Sequence, residues 1–427
     1  MKAKVLIATY YWPPSGGPGV QRYLKFAKYL PAFDIEPIIL TVKNPTYPIQ
    51  DPTLKEEIPD NLKIYKTRTI EPFGIYAGLS GEKAESIKPT IELEGETFRS
   101  SIGSWIRANV FIPDARAGWL ITARLKAEDL VRDFNIQTVI TTGPPHSVHF
   151  IGKHLRQKQN IRWLADFRDP WSQVYYNQIL PRTSIAEQVD EKLEKSILSK
   201  ADEVIVVSNS QAESFRKIVE RGYRVITNGF DPDDFKGINP PDRTSKGTLI
   251  RHIGNIGEAA VPEAFLRAVK SVSDTINLTV EFIGDNHPGL QKLIHKYKLH
   301  KIVSIKDYLP HKIAIQKMSD ANILLLSIPD VEDIQHHIPG KLFEYIGTGR
   351  PILMLGPENG DSAKIIKQED AGIACGFNDF ESIKKAIITL SEHKAHGISA
   401  DQMVSHKYSR ITLTKNLAAL IVENSDE

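Results

Sequence analysis

Short apolar runs alternate with stretches of helical periodicity along most of the chain. Val5–Thr9 reads as a short buried strand, and Val20, Tyr23, Leu24, Ala27 and Leu30 then fall on one helical face. Pro37–Val42 is the next strand. After an irregular region over 44–118, Trp119–Asp133 predicts an amphipathic helix, and strands follow at Thr138–Thr142, Trp163–Ala165, Glu203–Val207 and Arg224–Thr227. Helices over Glu187–Leu198 and 210–220 separate the later ones. A second series of strands is predicted at Leu249–Ile253, Leu278–Ile283, Ile302–Ile305, Ile323–Ser327, Pro351–Leu355 and Ile373–Cys375, and a last helix at Ile411–Val422. Strands alternating with helices imply parallel sheets covered on both faces. The pattern predicts an α/β protein with two doubly wound, Rossmann-like domains. Their predicted bounds are 1–235 and 236–405, with 406–427 a helix packing back on the first domain.

Ligands of such sheets bind beyond the C-terminal strand ends. In the first domain the loops there are Trp12–Gly19, Gly143–His146 and Asp166–Trp171, expected to converge on one site. In the second they include Gly254-Asn255-Ile256-Gly257, Gly284-Asp285-Asn286 and Tyr308-Leu309-Pro310. Two such domains joined by the linker 236–246 predict a deep cleft between their loop edges. Within 44–118, Asn44–Pro59 reads as loop and the polar, acidic piece Leu79–Ser101 as a mobile segment. Ile102–Phe111 is apolar and aromatic around Arg107. It reads either as an element lying on a membrane or covering an acceptor, or as a helix packed on its own domain.

Length and composition fit this picture. A chain of 427 residues suits two domains of roughly 200 residues each. No apolar run approaches the roughly 20 residues of a membrane span, and the first apolar run is too short for a signal peptide. Cys375 is the single cysteine, which excludes an internal disulfide and a Cys-rich metal site and predicts a cytoplasmic setting. A net charge of +2 gives no reason to expect nucleic acid as a partner. Residues 1–230 carry 31 Lys+Arg against 26 Asp+Glu, a mild excess that suits an anionic substrate or a peripheral contact with the inner membrane face.

The chemistry concentrates in two places. Gly16, Gly17 and Gly19 lie between a strand and a helix, where backbone amides can face an anion. A dinucleotide site does not fit, because the third glycine of that fingerprint falls at Arg22 and strand Pro37–Val42 ends without an acid. In His336–Leu355, Ile338-Pro339-Gly340 reads as a turn into a short helix, with Gly347 and Gly349 where it should stop. Lys341 and Glu344, three apart, share a helical face near its start. A cation and a carboxylate there suit a nucleotide diphosphate, with Lys341 and the amides, Leu342 included, on phosphate and Glu344 on sugar hydroxyls. The competing reading is an exposed ion pair on an ordinary βα unit.

In order and spacing, four pieces make the chain resemble the retaining, GT-B-fold glycosyltransferases of family 4, of the bacterial surface-polysaccharide type. They are Tyr11–Gly17, Val225–Asp231, Tyr308–Ala321, and Pro339–Tyr345 with Gly349-Arg350-Pro351. The resemblance implies transfer of a sugar from a UDP- or GDP-sugar to a hydroxyl of a glycan or lipid-linked acceptor, with retention and with no metal or other cofactor. It implies that Lys341 takes the diphosphate and Glu344 the ribose, while the backbone of Leu309-Pro310 meets the base. The amides around Gly254 and Asn255 support the phosphates, Asp285 is among the donor-binding residues, and Gly16 and Gly17 reach the phosphate side or the acceptor. It also implies that the leaving phosphate takes the acceptor's proton. The chain departs from the family pattern at three points. Eight residues before Glu344 stands His336, so a first carboxylate is missing; the segment after Ile253 lacks the usual Arg and Lys; and Arg168 stands where a His is common. His146, Asp166, Arg168 and Asp169 are therefore expected to contact sugar and acceptor, although the three charged residues could instead form an ion-pair network fixing their loop and His146 could simply pack. His336 and His337 are adjacent, do not share a helical face, and make a poor metal site. A non-hydrolysing nucleotide-sugar epimerase and a non-catalytic binding subunit share the architecture and remain alternatives.

Overall fold

The computed structural model describes residues 2–45, 50–69, 105, 108–173, 181–238, 247–332, 334–392, 398 and 400–423. The chain divides into two compact units, Met1–Thr227 with Leu413–Glu427, and Asn228–Thr412. Each is a fully parallel sheet. The first has seven strands in the order β3-β2-β1-β4-β5-β6-β7: β1 (Ala3–Thr9), β2 (Ile35–Val42), β3 (Lys63–Thr67), β4 (Thr138–Gly143), β5 (Arg162–Phe167), β6 (Glu203–Val206) and β7 (Arg224–Val225). The second has six, in the order β10-β9-β8-β11-β12-β13: β8 (Thr248–Ile253), β9 (Leu278–Ile283), β10 (Val303–Lys306), β11 (Ile323–Ser327), β12 (Ile352–Leu355) and β13 (Gly372–Cys375). In both sheets the strand order reverses beside the first strand, at β1/β4 and at β8/β11. That crevice is where doubly wound sheets take ligands.

In the first unit α1 (Pro18–Tyr29), α2 (Leu120–Phe134), α3 (His149–Gln159), α4 (Ser184–Lys200) and α5 (Asn209–Arg216) surround the sheet. The second carries α6 (Glu263–Val272), α7 (Pro288–Lys296), α8 (His311–Ser319), α9 (Gly340–Thr348), α10 (Asp361–Gln368), α11 (Phe380–Glu392) and α12 (Ala400–Ser405). The last helix, α13 (Arg410–Val422), returns to the first unit. Its Leu413, Leu417, Leu420 and Ile421 are buried with Val5, Ile7 and Leu24. Central strands read as continuous apolar runs because both faces are covered; β12 and β11 are buried at every position. Among the described residues no helix is long and apolar enough to cross a membrane.

Two bounds differ from the sequence expectation. The first unit ends at Thr227 rather than 235, because Phe230 and Phe235 are buried in the second unit's core. The return segment begins at Leu413 rather than 406, because Tyr408 belongs to that same core, where its carbonyl accepts from the Phe230 amide and the Arg410 amide donates to the Phe230 carbonyl. The region 44–118, read as irregular, contains β3. Its sequence KIYKT keeps polar residues on a partly exposed face, as an edge strand does. The piece Leu79–Ser101 and residues 102–104, 106 and 107 of the apolar piece lie outside the described residues, as do 239–246 of the linker. Of the remainder of Ile102–Phe111, Trp105 and Val110 are exposed and Ala108 is buried.

Candidate active site

In the second unit, α9 sets the geometry. Pro339, extended, precedes it, and Gly349 ends it at φ 65°, a left-handed conformation that glycine adopts without strain. Gly347, by contrast, lies inside the helix. A Cβ there would come within 2.8 Å of the Phe235 ring and 2.9 Å of Phe230, so glycine is what allows the chain after the unit boundary to pack on α9. Leu342 and Phe343 are fully buried, worth about 1.5–3 kcal/mol each. The Ile253 amide donates to the buried Tyr345 hydroxyl at 3.0 Å, which fixes α9 against the end of β8.

This leaves Lys341 and Glu344 on the remaining side. They do not pair with each other among the described residues. Lys341 Nζ lies 3.4 Å from Nε2 of His252 and occupies the space that a Cβ on Gly254 would take. Gly254 has φ 127° and Gly284, after β9, φ 131°; a Cβ on Gly284 would lie 2.6 Å from the Gly254 carbonyl. Glycine is required at both places for the loops after β8 and β9 to come so close, and the Gly254 amide donates to the Ile283 carbonyl at 2.8 Å. Burial, opposed by the Glu344 charge, pushes the Lys341 pKa down to about 8. Glu344 accepts from His311 Nε2 of α8 at 3.0 Å. The exposed ion pair is therefore the weaker reading: both side chains are partly buried and each has its own partner. Asn255 and Asp285 are exposed at the same edge, with the Asp285 amide 3.4 Å from Asn255 Oδ1. Leu309 is partly buried against the second core. Leu342 offers a ligand neither side chain nor amide, since its N–H donates to the Pro339 carbonyl. His336 is exposed.

In the first unit the three expected loops meet at Arg168. Its guanidinium donates to the Gly19 carbonyl at 3.0 Å and to the Pro144 carbonyl, joining the loops after β1, β4 and β5. A Cβ on Gly19 would lie 2.7 Å from that guanidinium. Asp166 does not pair with Arg168. It accepts from Arg22 Nη2 at 2.8 Å and from Thr142 Oγ1 at 2.9 Å, wholly buried. Arg22 also donates to the carbonyls of Ile226 and Thr227, which braces the chain where the first unit ends. The Asp166–Arg168–Asp169 network is thus replaced by an Asp166–Arg22 pair. In the sequence Arg22 stands out only as the residue that breaks a glycine fingerprint, and its distance from Asp166 along the chain hides the pairing. Asp169 is exposed. Gly16 and Gly17 precede α1, Gly17 with φ 102° and open space around it.

His146 sits at the turn into α3. Its ring is parallel to Trp171, 5.0 Å between centroids, and stacks on Phe167. Ser147 anchors the turn by donating to Asp114 from backbone and hydroxyl, each at 2.8 Å. Burial and then the Arg168 charge push the His146 pKa down to about 3, so the ring is neutral at any working pH. Trp171 is held in turn by Asp190, which accepts from its Nε1 at 2.7 Å.

A family model described as Glycosyltransferase Family 4 matches residues 88–234. Of the four resembling pieces, that match includes Val225–Asp231. No curated protein matches the chain. Among solved structures it is similar to a glycosyltransferase from Rickettsia africae, at 16% identity and TM-score 0.63 over 99% of this chain and 100% of that one. It is likewise similar to Anabaena Alr3699/HepE in complex with UDP, at 14% identity and TM-score 0.64 over 98% and 99%. A putative UDP-N-acetylglucosamine 2-epimerase from Listeria monocytogenes shares the fold at 12% identity and TM-score 0.56, over 99% and 96%. The chain thus has the GT-B fold, and its residues 88–234 match the model of glycosyltransferase family 4.

Proposed function

We propose that the protein transfers a sugar from a UDP- or GDP-sugar to a hydroxyl of a glycan or lipid-linked acceptor, with retention, in building cell-surface polysaccharide or glycolipid. The observation that carries this is the Lys341 ammonium, held over the Gly254 backbone at the crevice of the second sheet with Glu344 one helical step away. Lys341 and the Asn255 amide take the diphosphate, Glu344 the ribose, and the backbone at Leu309 the base, while the Gly254 amide is spent on the Ile283 carbonyl. Charge develops on the leaving diphosphate in the transition state, and a fixed cation there accelerates cleavage. UDP, the ligand of the Anabaena structure, is the first nucleotide to test.

His146, with a pKa near 3, is a poor general base at neutral pH. That favours the leaving phosphate as the group that takes the acceptor's proton. His146 and Asp169 then serve as contacts to sugar and acceptor, while Asp166 and Arg168 shape the loops around them. The Gly16-Gly17 turn offers amides to the acceptor or phosphate. No metal or other cofactor is needed in this reading, and the protein works in the cytoplasm, peripherally at the inner membrane face.

The test is to incubate the protein with UDP- and GDP-sugars and candidate glycan and lipid-linked acceptors, and to measure nucleoside diphosphate release. Acceptor-dependent release is expected. Intact nucleotide binding without release would favour a binding subunit. Epimerisation of the donor without acceptor would favour the isomerase, whose fold this chain also shares.

A further inference from the structure

We propose that His252 is a positioning residue: its neutral imidazole holds the Lys341 ammonium over the Gly254 backbone and so preforms a cradle for a diphosphate. The inference rests on the reading of Lys341 given above. His252 lies in β8 and is fully buried. Its Nδ1 is 3.0 Å from the Leu325 carbonyl of the neighbouring β11. A carbonyl can only accept, so Nδ1 carries the proton. Burial and then the Lys341 charge hold the ring's pKa well below the usual histidine range, outweighing the backbone groups of Leu325, Gly254 and Asn255 that favour the charged form, so the ring keeps the one proton that the Leu325 carbonyl accepts. Nε2 then presents a lone pair, and Lys341 Nζ lies 3.4 Å away on that side.

The sheet thereby supplies an acceptor that orients a cation without neutralising it. A carboxylate in the same place would cancel the charge a diphosphate needs, and an apolar side chain would leave a long, flexible stem to be ordered on binding. Of its three donors Lys341 gives one to His252, leaving two for phosphate oxygens. The other groups around this ammonium are Glu344 on α9, itself paired with His311 of α8, and His337 in the turn before α9.

The experiment measures UDP and GDP affinity by calorimetry in wild type, His252→Leu, His252→Gln, Lys341→Met and the double variant His252→Leu/Lys341→Met. Glutamine can donate to Leu325 and accept from Lys341; leucine can do neither. Loss of an acceptor for a charged donor predicts an affinity drop of about tenfold for His252→Leu. His252→Gln should stay within about threefold of wild type, and His252→Leu should add nothing once Lys341 is Met. In wild type, affinity declines as pH rises through the Lys341 pKa of about 8, and in His252→Leu that decline begins at lower pH. Wild-type affinity in His252→Leu, or an equal loss in the Lys341→Met background, overturns the inference alone. Unchanged affinity in Lys341→Met overturns the reading of the site itself. Should the leucine variant not fold, ¹⁵N NMR of the wild-type imidazole decides: a protonated Nε2 contradicts the assignment.

Discussion

Lys341 and Asp166 show how differently two buried charges can be used. Lys341 is held where its ammonium is disfavoured by burial, and a dianionic ligand relieves that cost. Lys341→Ala should weaken nucleoside diphosphate binding by about tenfold or more, whereas His336→Ala, at an exposed position, should change it less than about twofold. The reverse order in a binding titration would mean that α9 is misassigned. The sign of the pH effect on the unliganded protein also follows. The folded amine titrates near 8 and the unfolded one near its ordinary value, so between those pH values the unfolded chain binds more protons and this group makes stability rise with pH. Denaturant midpoints across that window should rise in wild type and lose this component in Lys341→Met. Asp166, in contrast, already has its partner in Arg22. Asp166→Asn leaves the Arg22 charge uncompensated in the core and should cost about 3–5 kcal/mol in denaturant unfolding. A cost under about 1 kcal/mol would show that the pair does not hold the fold, and would reopen a direct role for Asp166. The residue types at both sites were legible in the sequence, but their partners were not. His252 lies 89 positions from Lys341 and Arg22 lies 144 from Asp166, separations that no local pattern spans.

At the scale of elements, the periodicity located most strands and helices, because burial on both sheet faces writes long apolar runs. It was weakest where an element is half solvated. β3 carries two lysines and a partly exposed face, so nothing in its composition separates it from loop. Helix α5 stops at Arg216 rather than 220. The two glycines near the end of α9 show the same limit: both looked like stop signals, but only Gly349 has the left-handed φ. Gly347 is glycine for the sake of Phe230 and Phe235, which come from the other end of the unit. Gly347→Ala should therefore destabilise the second unit by about 1–3 kcal/mol through overpacking, despite alanine's better helix propensity. A thermal melt in which Gly347→Ala is as stable as wild type would contradict that packing.

At the scale of the whole molecule, the chain closes the first unit with its own end. Helix α13 buries Leu413, Leu417, Ala418, Leu420 and Ile421 among residues of β1, α1 and β2. Ending the chain at Thr412 would remove apolar side chains worth about 1.5–3 kcal/mol each from that core. Limited proteolysis of the truncated chain should cut the first unit readily while the strands from β8 to β13 stay protected. Equal resistance of both units would show that α13 is dispensable.

The alternation of apolar runs and helical faces was enough to give two parallel α/β sheets, because a strand covered on both sides has no polar positions to spare. The same alternation identified the loops at the strand ends, and therefore where Lys341, Glu344, Gly254 and Asp166 should lie. Tertiary structure alone decided which of them meet. Ion pairs and hydrogen bonds between residues far apart in the chain depend on strand order and register, and those are set by packing across the whole sheet. Hence the helix carrying Lys341 and Glu344 was visible as a candidate from its spacing, while the neutral imidazole beside the cation, and the arginine that claims Asp166, appeared only with the fold.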